Sequence, residues 1–318
     1  MWSSPWADNE LWFRSALWAP CEKRIRDNNS NERYTRVGHT HIAVARFLFE
    51  SAFWPLLPVA FYNHFLLPED QRDRVDVVLV SPRNPLNIGA AARAMANFGF
   101  SRLAVVAPYA PHWREARSAI GAPELLQNAK ETESLAEAVG HCTLVVGTGT
   151  LTYRKPEQRV VRLPDLAPLV RREMERSGRV SLVFGPEKHG LTREDLSYCH
   201  LLVEIPTDSH QPSMNLGQAV AVCLYELASR AFVVDNGTGE STGPEPSNAA
   251  RPAAASDRLE LLAGVVERAM VAADYSPASM REANRHDLRL LLRRLAPTGR
   301  DARRILGLFR RILWRLER

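Results

Sequence analysis

The sequence predicts an α/β protein: a parallel sheet with helices on both faces, followed by a small helical domain. Three observations carry that expectation. From Val75 onward, short β-branched runs alternate with helical stretches, the rhythm of parallel strands joined by crossover helices. A tract rich in Gly, Pro, Ser and Ala then interrupts the pattern at Asp235–Ser256, reading as a linker. Beyond it, the apolar residues recur at helical spacing, with an expected stripe at Ile305, Phe309, Ile312 and Leu316.

In chain order, residues 1–74 form an extension expected to be irregular or disordered, holding five of the seven tryptophans. Its uncharged stretch SAFWPLLPVAFYNHFLLP (51–68) approaches the length of a membrane span. Pro55 and Pro58 break it, and Asn63 and His64 are polar, so no membrane association is expected. The stretch 75–235 is the main domain. Five strands are expected within it, at 75–80, 102–107, 143–147, 179–184 and 201–205, with helices at Ile88–Asn97, Leu166–Arg176 and Leu216–Phe232. Residues 236–256 are the linker. Residues 257–318 are a basic helical domain, expected to be tethered by the linker rather than packed continuously onto the main domain.

Charge separates these parts. Positions 1–74 and 75–235 are each balanced, whereas positions 257–318 carry fourteen arginines against eight acids and no lysine. Arginine suits phosphate because its planar fork donates two hydrogen bonds together. Arg303, Arg304, Arg310 and Arg311 lie largely off the expected stripe and are the candidate contacts to a nucleic-acid backbone, with a solvated helical face as the alternative. Four scattered cysteines (Cys21, Cys142, Cys199, Cys223) form no CxxC and no metal-ligand rhythm, which fits a reducing cytoplasm and no metal.

In open parallel sheets, ligands sit beyond the carboxyl ends of the strands, which directs attention to three loops. SPRNPLNIGAAARAMANFGF (81–100) offers Asn87 as a helix cap, Gly89 in a thin first turn and Arg93 further up the helix. LVFGPEKHGLT (182–192) leaves backbone amides open around Gly185, Glu187 and Gly190. IPTDSHQPSMNLGQAV (205–220) places Ser213 and Asn215 where a long helix begins. Taken singly, each loop is equally well explained by capping or by a carboxylate at a helix amino terminus.

Together, in this order and spacing, the three loops resemble the signature of the SpoU (TrmH) family of SPOUT methyltransferases, over roughly 75–230. Within that family the chain is similar to the TrmJ group, which modifies position 32 of the tRNA anticodon loop. The VVGTGT loop (145–150) and the arginine-rich tail carry the narrower likeness. The resemblance implies a trefoil knot, a homodimer paired through the knot region, and S-adenosylmethionine as methyl donor. It implies cofactor contacts from Thr148, Gly149, Thr150, Gly185, Ile205, Pro212, Ser213 and Met214. Arg93, Glu187, Ser213, Asn215 and Asn87 are implied to be the catalytic set, acting on a ribose 2′-hydroxyl of RNA. A neutral arginine is costly, its intrinsic pKa lying above ~12. Arg93 is therefore expected to grip phosphate and stabilise charge on the 2′-oxygen, while Ser213 and Asn215 position the ribose or relay its proton. Two alternatives stay open: ribosomal RNA as the substrate, and a non-catalytic RNA-binding protein that keeps the fold.

Overall fold

The computed structural model describes residues 67–149, 156–229 and 252–318. Residues 1–66 of the extension, Thr150 and most of the linker lie outside the described residues; the end of the extension, expected to be irregular, is helical at Glu69–Arg72. No described helix is long and apolar enough to cross a membrane.

A short helix, α1 (Glu69–Arg72), leads into β1 (Val75–Val80), then α2 (Pro85–Asn97) and β2 (Arg102–Val106). There follow α3 (Pro123–Gln127), β3 (Lys130–Thr132), α4 (Leu135–Val139), β4 (Leu144–Thr148) and β5 (Arg159–Arg162). The main unit ends with α5 (Leu166–Glu175), β6 (Val180–Phe184), α6 (Arg193–Ser197), β7 (Leu201–Glu204) and α7 (Leu216–Ser229). The seven strands lie in the order β3-β2-β1-β6-β4-β7-β5, and every pairing is parallel. The five expected strands are all present. β3 and β5 escaped the sequence reading because KET and RVVR are too short and polar to stand out, and both are sheet edges.

All six residues of β1 are buried, and alternate side chains serve two cores. Val75, Val77 and Leu79 join the cluster that includes Ile88, Met95, Val220 and Leu224 from α2 and α7. Val78 and Val80 join the opposite cluster with Leu135, Val139 and Cys199. At ~1.5–3 kcal/mol per fully buried aliphatic side chain, these two layers fix the sheet between its helices.

The tail is α8 (Ser256–Ala272), α9 (Arg281–Leu295) and α10 (Gly299–Leu316), around a core of Leu259, Leu262, Val265, Val266, Leu292 and Leu306. Two expectations need correction. The inward stripe of α10 is Ala302, Leu306 and Leu313, flanked by half-buried Ile305 and Phe309, while Ile312 and Leu316 are exposed. The spacing Ile305-Phe309-Ile312-Leu316 repeats that of the true stripe, so periodicity alone could not choose between the two faces. The tail also docks on the main unit. The amides of Ser256 and Asp257 donate to the carbonyls of Cys142 (2.9 Å) and Gly140 (2.8 Å). The start of α8 thereby meets the end of α4, each satisfying backbone groups the other leaves open. Arg289 pairs with Glu194 at 3.1 Å and lies 4.4 Å from the Tyr198 ring centroid. A pair whose carboxylate is as exposed as Glu194 contributes ~0–1 kcal/mol, so the guanidinium stacked on the buried Tyr198 ring is the stronger tie.

Candidate active site

Three neighbouring strands, β6, β4 and β7, end at one cavity of about 320 Å³. Seven of the expected cofactor residues line it: Thr148 and Gly149 after β4, Gly185 after β6, and Ile205, Pro212, Ser213 and Met214 after β7. Thr148 is buried, and its hydroxyl donates to the Val183 carbonyl at 2.9 Å, locking β4 to β6 at the cavity floor. Phe184, Lys188, Thr207, Leu216 and Ala219 also line the cavity and were missed by the sequence reading. Their types carry no chemical signal; only the folded loops bring them there.

The wall at Gly185 depends on a close approach. A Cβ there would lie 2.3 Å from the Gly190 carbonyl carbon and 2.3 Å from the Leu191 nitrogen. The loop closes on itself further through the Gly190 amide, which donates to the Pro186 carbonyl at 2.9 Å. Gly185 is thus required by the path of the backbone.

Beside the cavity runs a chain of polar contacts. Asn215 Oδ1 accepts from the amides of Gly217 (2.9 Å) and Gln218 (3.4 Å), capping α7. Asn215 Nδ2 donates to Asn87 Oδ1 (2.9 Å), and Asn87 Nδ2 donates to Glu187 Oε1 (2.8 Å). Glu187 also accepts from the amides of Asn84 (3.1 Å) and Arg83 (3.0 Å). The carboxylate thus holds the amino-terminal turn of α2 from outside its own strand. Partial burial raises the Glu187 pKa, but the hydrogen bonds outweigh it and hold the carboxyl below its usual value; Asn87 donates the first of them, followed by the amides of Glu187 itself, Arg83 and Asn84. Asn87 is not the cap of α2: Asn84 is, its side chain accepting from the Leu86 amide at 3.0 Å, with Pro85 at the first helical position. The Asn-Pro pair carried that signal, since proline favours the first turn, but Asn87 drew attention away from it. Gly89 is small for a different reason than turn thinness, because a Cβ there would lie 2.2 Å from Ser118 Oγ.

Arg93 sits on α2, exposed, outside the cavity and with no side-chain partner among the described residues. Ser213 is exposed at the cavity edge. The RNA candidates Arg303, Arg304, Arg310 and Arg311 are all exposed, far along the chain on α10; Arg303 Nε donates to the Gly299 carbonyl at 3.1 Å and Arg311 lies 4.1 Å from the Trp314 ring centroid. Among the described residues, Asp76, His141 and Cys142 are grouped as metal ligands might be. Arg102 (2.5 Å) and Arg179 (3.6 Å) also face Asp76, and two guanidiniums on one carboxylate oppose a cation there. The described cysteines, Cys142, Cys199 and Cys223, are free and buried, and burial first of all pushes their thiols up to about 12.

Neighbouring strands of one all-parallel sheet thus end at a lined cavity, beside the chain Glu187–Asn87–Asn215. The model of the SpoU rRNA Methylase family matches residues 74–225. The chain belongs to the SpoU methylase family. It is similar to the tRNA (cytidine/uridine-2'-O-)-methyltransferase TrmJ of Escherichia coli (strain K12), 32% identical over 76% of this chain and 95% of that protein. It is 41% identical to the tRNA (cytidine/uridine/adenosine-2'-O-)-methyltransferase TrmJ of Pseudomonas aeruginosa (strain UCBPP-PA14), over 49% of this chain and 60% of that protein. The crystal structure of TrmJ from Z. mobilis ZM4 superposes with a TM-score of 0.63 at 28% identity, covering 74% of this chain and 98% of that one.

Proposed function

We propose that the chain is an S-adenosylmethionine-dependent RNA ribose 2′-O-methyltransferase acting on tRNA, at cytidine or uridine 32 of the anticodon loop. The observation that carries the reading is the meeting of the second and third motif loops at one cavity, with the first loop tied to both beside it by the chain Glu187–Asn87–Asn215. TrmJ relatives named for tRNA 2′-O-methylation support the substrate class.

The cavity fits the methyl donor. Its volume is at the lower end for small-molecule sites, Phe184, Ile205 and Met214 offer apolar contact, and the Gly185 wall would be closed by any side chain. Thr148, Gly149, Gly185, Ile205, Pro212, Ser213 and Met214 would hold it, with Thr150 as a further contact outside the described residues. When bound, S-adenosylmethionine supplies a methyl group already activated on a sulfonium. This chain's residues then hold the acceptor in line with that methyl. Arg93, open and outside the cavity, grips a phosphate of the target nucleotide and stabilises charge growing on the 2′-oxygen. Ser213, open at the edge, holds the ribose and relays the hydroxyl proton to solvent as the methyl group is transferred. Asn215, Asn87 and Glu187, bonded to one another and to helix ends, keep the three loops in place. No step calls for a metal.

The knot and the homodimer belong to the same reading. The alanine-rich side of α2 is largely buried within the chain, with Ala91, Ala92 and Ala94 in the core cluster that also holds α7 residues. Leu86 and Tyr225 on these two helices stay exposed and are the better candidates for pairing. The exposed arginines of α10 supply RNA contacts, and the location is cytoplasmic. Incubation with methyl-labelled S-adenosylmethionine and either total tRNA or rRNA tests the reading. Label in tRNA is expected; label in rRNA alone, or in neither, overturns it.

A further inference from the structure

A second and larger cavity, about 960 Å³, lies at the opposite end of the sheet. Its floor is the amino-terminal ends of β4, β5 and β7, at Leu144, Arg159 and Leu201, and its roof is the turn between α9 and α10. A five-residue strand separates it from the methylase cavity, roughly 15 Å at ~3.3 Å per residue.

Its lining holds buried polar atoms that no other described residue satisfies. His200 Nδ1 accepts from the Val145 amide at 3.1 Å, so the neutral ring carries its proton on Nε2. That Nε2–H is buried and has no acceptor. Burial, with Arg293 nearby, depresses the His200 pKa to about 3, so the ring stays neutral at ordinary pH. Arg293 is 3% exposed and its Nε–H is equally without an acceptor, although its Nη2 pairs with Glu260 at 2.9 Å. Glu173, 8% exposed, has an Oε1 without a donor. Three further arginines, Arg159, Arg176 and Arg294, border the same space and have no side-chain partner among the described residues. A buried polar group without a partner costs ~1–3 kcal/mol, so three at one cavity call for a partner there, which water or a ligand can supply.

We propose that this cavity binds a nucleotide through its phosphate, with Arg159, Arg176 and Arg294 meeting the phosphate oxygens, His200 Nε2–H and Arg293 Nε–H donating to further acceptors, and Glu173 accepting from a hydroxyl or amino group. Two orphan donors, one orphan acceptor and three open guanidiniums match a ligand that is anionic at one end and carries both donors and acceptors at the other. The volume accommodates a nucleotide. The arginines suit phosphate by their bidentate geometry. The phosphate belongs either to a free nucleotide or to the backbone of a bound RNA. The proposal does not rest on the methyl-transfer reading, since it is tested by binding alone.

The test follows the His200 imidazole by nitrogen-15 NMR in the full chain, titrated separately with inorganic phosphate, cytidine 5′-monophosphate and tRNA. It is paired with affinity measurements on Arg159→Gln/Arg294→Gln. Both arginines are exposed or unpaired, so an unchanged melting temperature confirms the variant's fold. For a free nucleotide, cytidine 5′-monophosphate shifts the Nε2 resonance and the variant binds it at least ~10-fold more weakly, the loss of about one charge-assisted hydrogen bond. For an RNA source, only tRNA shifts the resonance and the variant loses a similar factor in tRNA affinity. If no probe moves the His200 resonance, or the variant binds every probe as the wild type does, the proposal is overturned.

Discussion

Asn87 Nδ2 lies 2.8 Å from Glu187 Oε1, joining two loops a hundred residues apart. The bond sets the direction of the whole polar chain. With its nitrogen committed to the carboxylate, Asn87 must present its oxygen to Asn215, whose own oxygen then caps α7. Neither amide can flip without losing partners on both sides.

Glu187→Gln should therefore weaken both fold and function. The folded-state pKa of Glu187 is depressed, so its contribution is fully present above the unfolded value of ~4.3 and is lost as pH falls through the folded value. Thermal melts at pH 7 should show the variant clearly less stable, and the difference should close as pH drops below about 4. Equal melting temperatures at pH 7 would contradict this.

Arg93→Ala should abolish methyl transfer, by at least ~100-fold on the scale of lost charge stabilisation. Calorimetric affinity for S-adenosylmethionine should stay within about threefold, since that is under 1 kcal/mol and Arg93 does not line the cavity. A large drop in cofactor affinity for the folded variant would remove Arg93 from the role of phosphate contact.

At Gly185 the outcome reverses. Gly185→Ala forces a Cβ within 2.3 Å of backbone at Gly190 and Leu191, so the loop must move. Calorimetry should show S-adenosylmethionine binding weakened by at least ~10-fold, a cost on the scale of overpacking strain. Near-native affinity would mean that the Gly185–Leu191 loop is not a wall of the cofactor site.

The sheet was legible in the sequence because its central strands are near-continuous apolar runs, buried on both faces. Motif order made the grouping of the candidate residues legible: Gly185, Glu187, Ser213 and Asn215 all fall at or beside one cavity. What composition could not show was contact between distant loops. The cross-link from Glu187 to the start of α2 and the docking of Ser256 on Cys142 depend on backbone amides, which every residue but proline carries alike. The buried face of α10 was misread because arginine-interleaved leucines and isoleucines satisfy helical spacing on two sides at once.

Replacing Arg303, Arg304, Arg310 and Arg311 with glutamine should flatten the salt dependence of tRNA binding without unfolding α10, since all four are exposed. Each phosphate contact contributes ~0.7–0.9 to the slope of log affinity against log salt, so a loss of up to about 3 is expected. Affinity measured at several salt concentrations, beside a melting curve, checks it. Cutting the chain after Asp235 is a harsher test, because it also uncovers Tyr198 and the Cys142 carbonyl against which the tail docks; a lower melting temperature should accompany weaker tRNA binding.

The most direct measurement is the position of the transferred methyl. An unmodified tRNA is incubated with the full chain and labelled S-adenosylmethionine, then digested with nuclease and mapped by mass spectrometry. The account predicts the label on the ribose 2′-oxygen of nucleotide 32. Label on a base, on the ribose of another nucleotide, or on no nucleotide at all would contradict it.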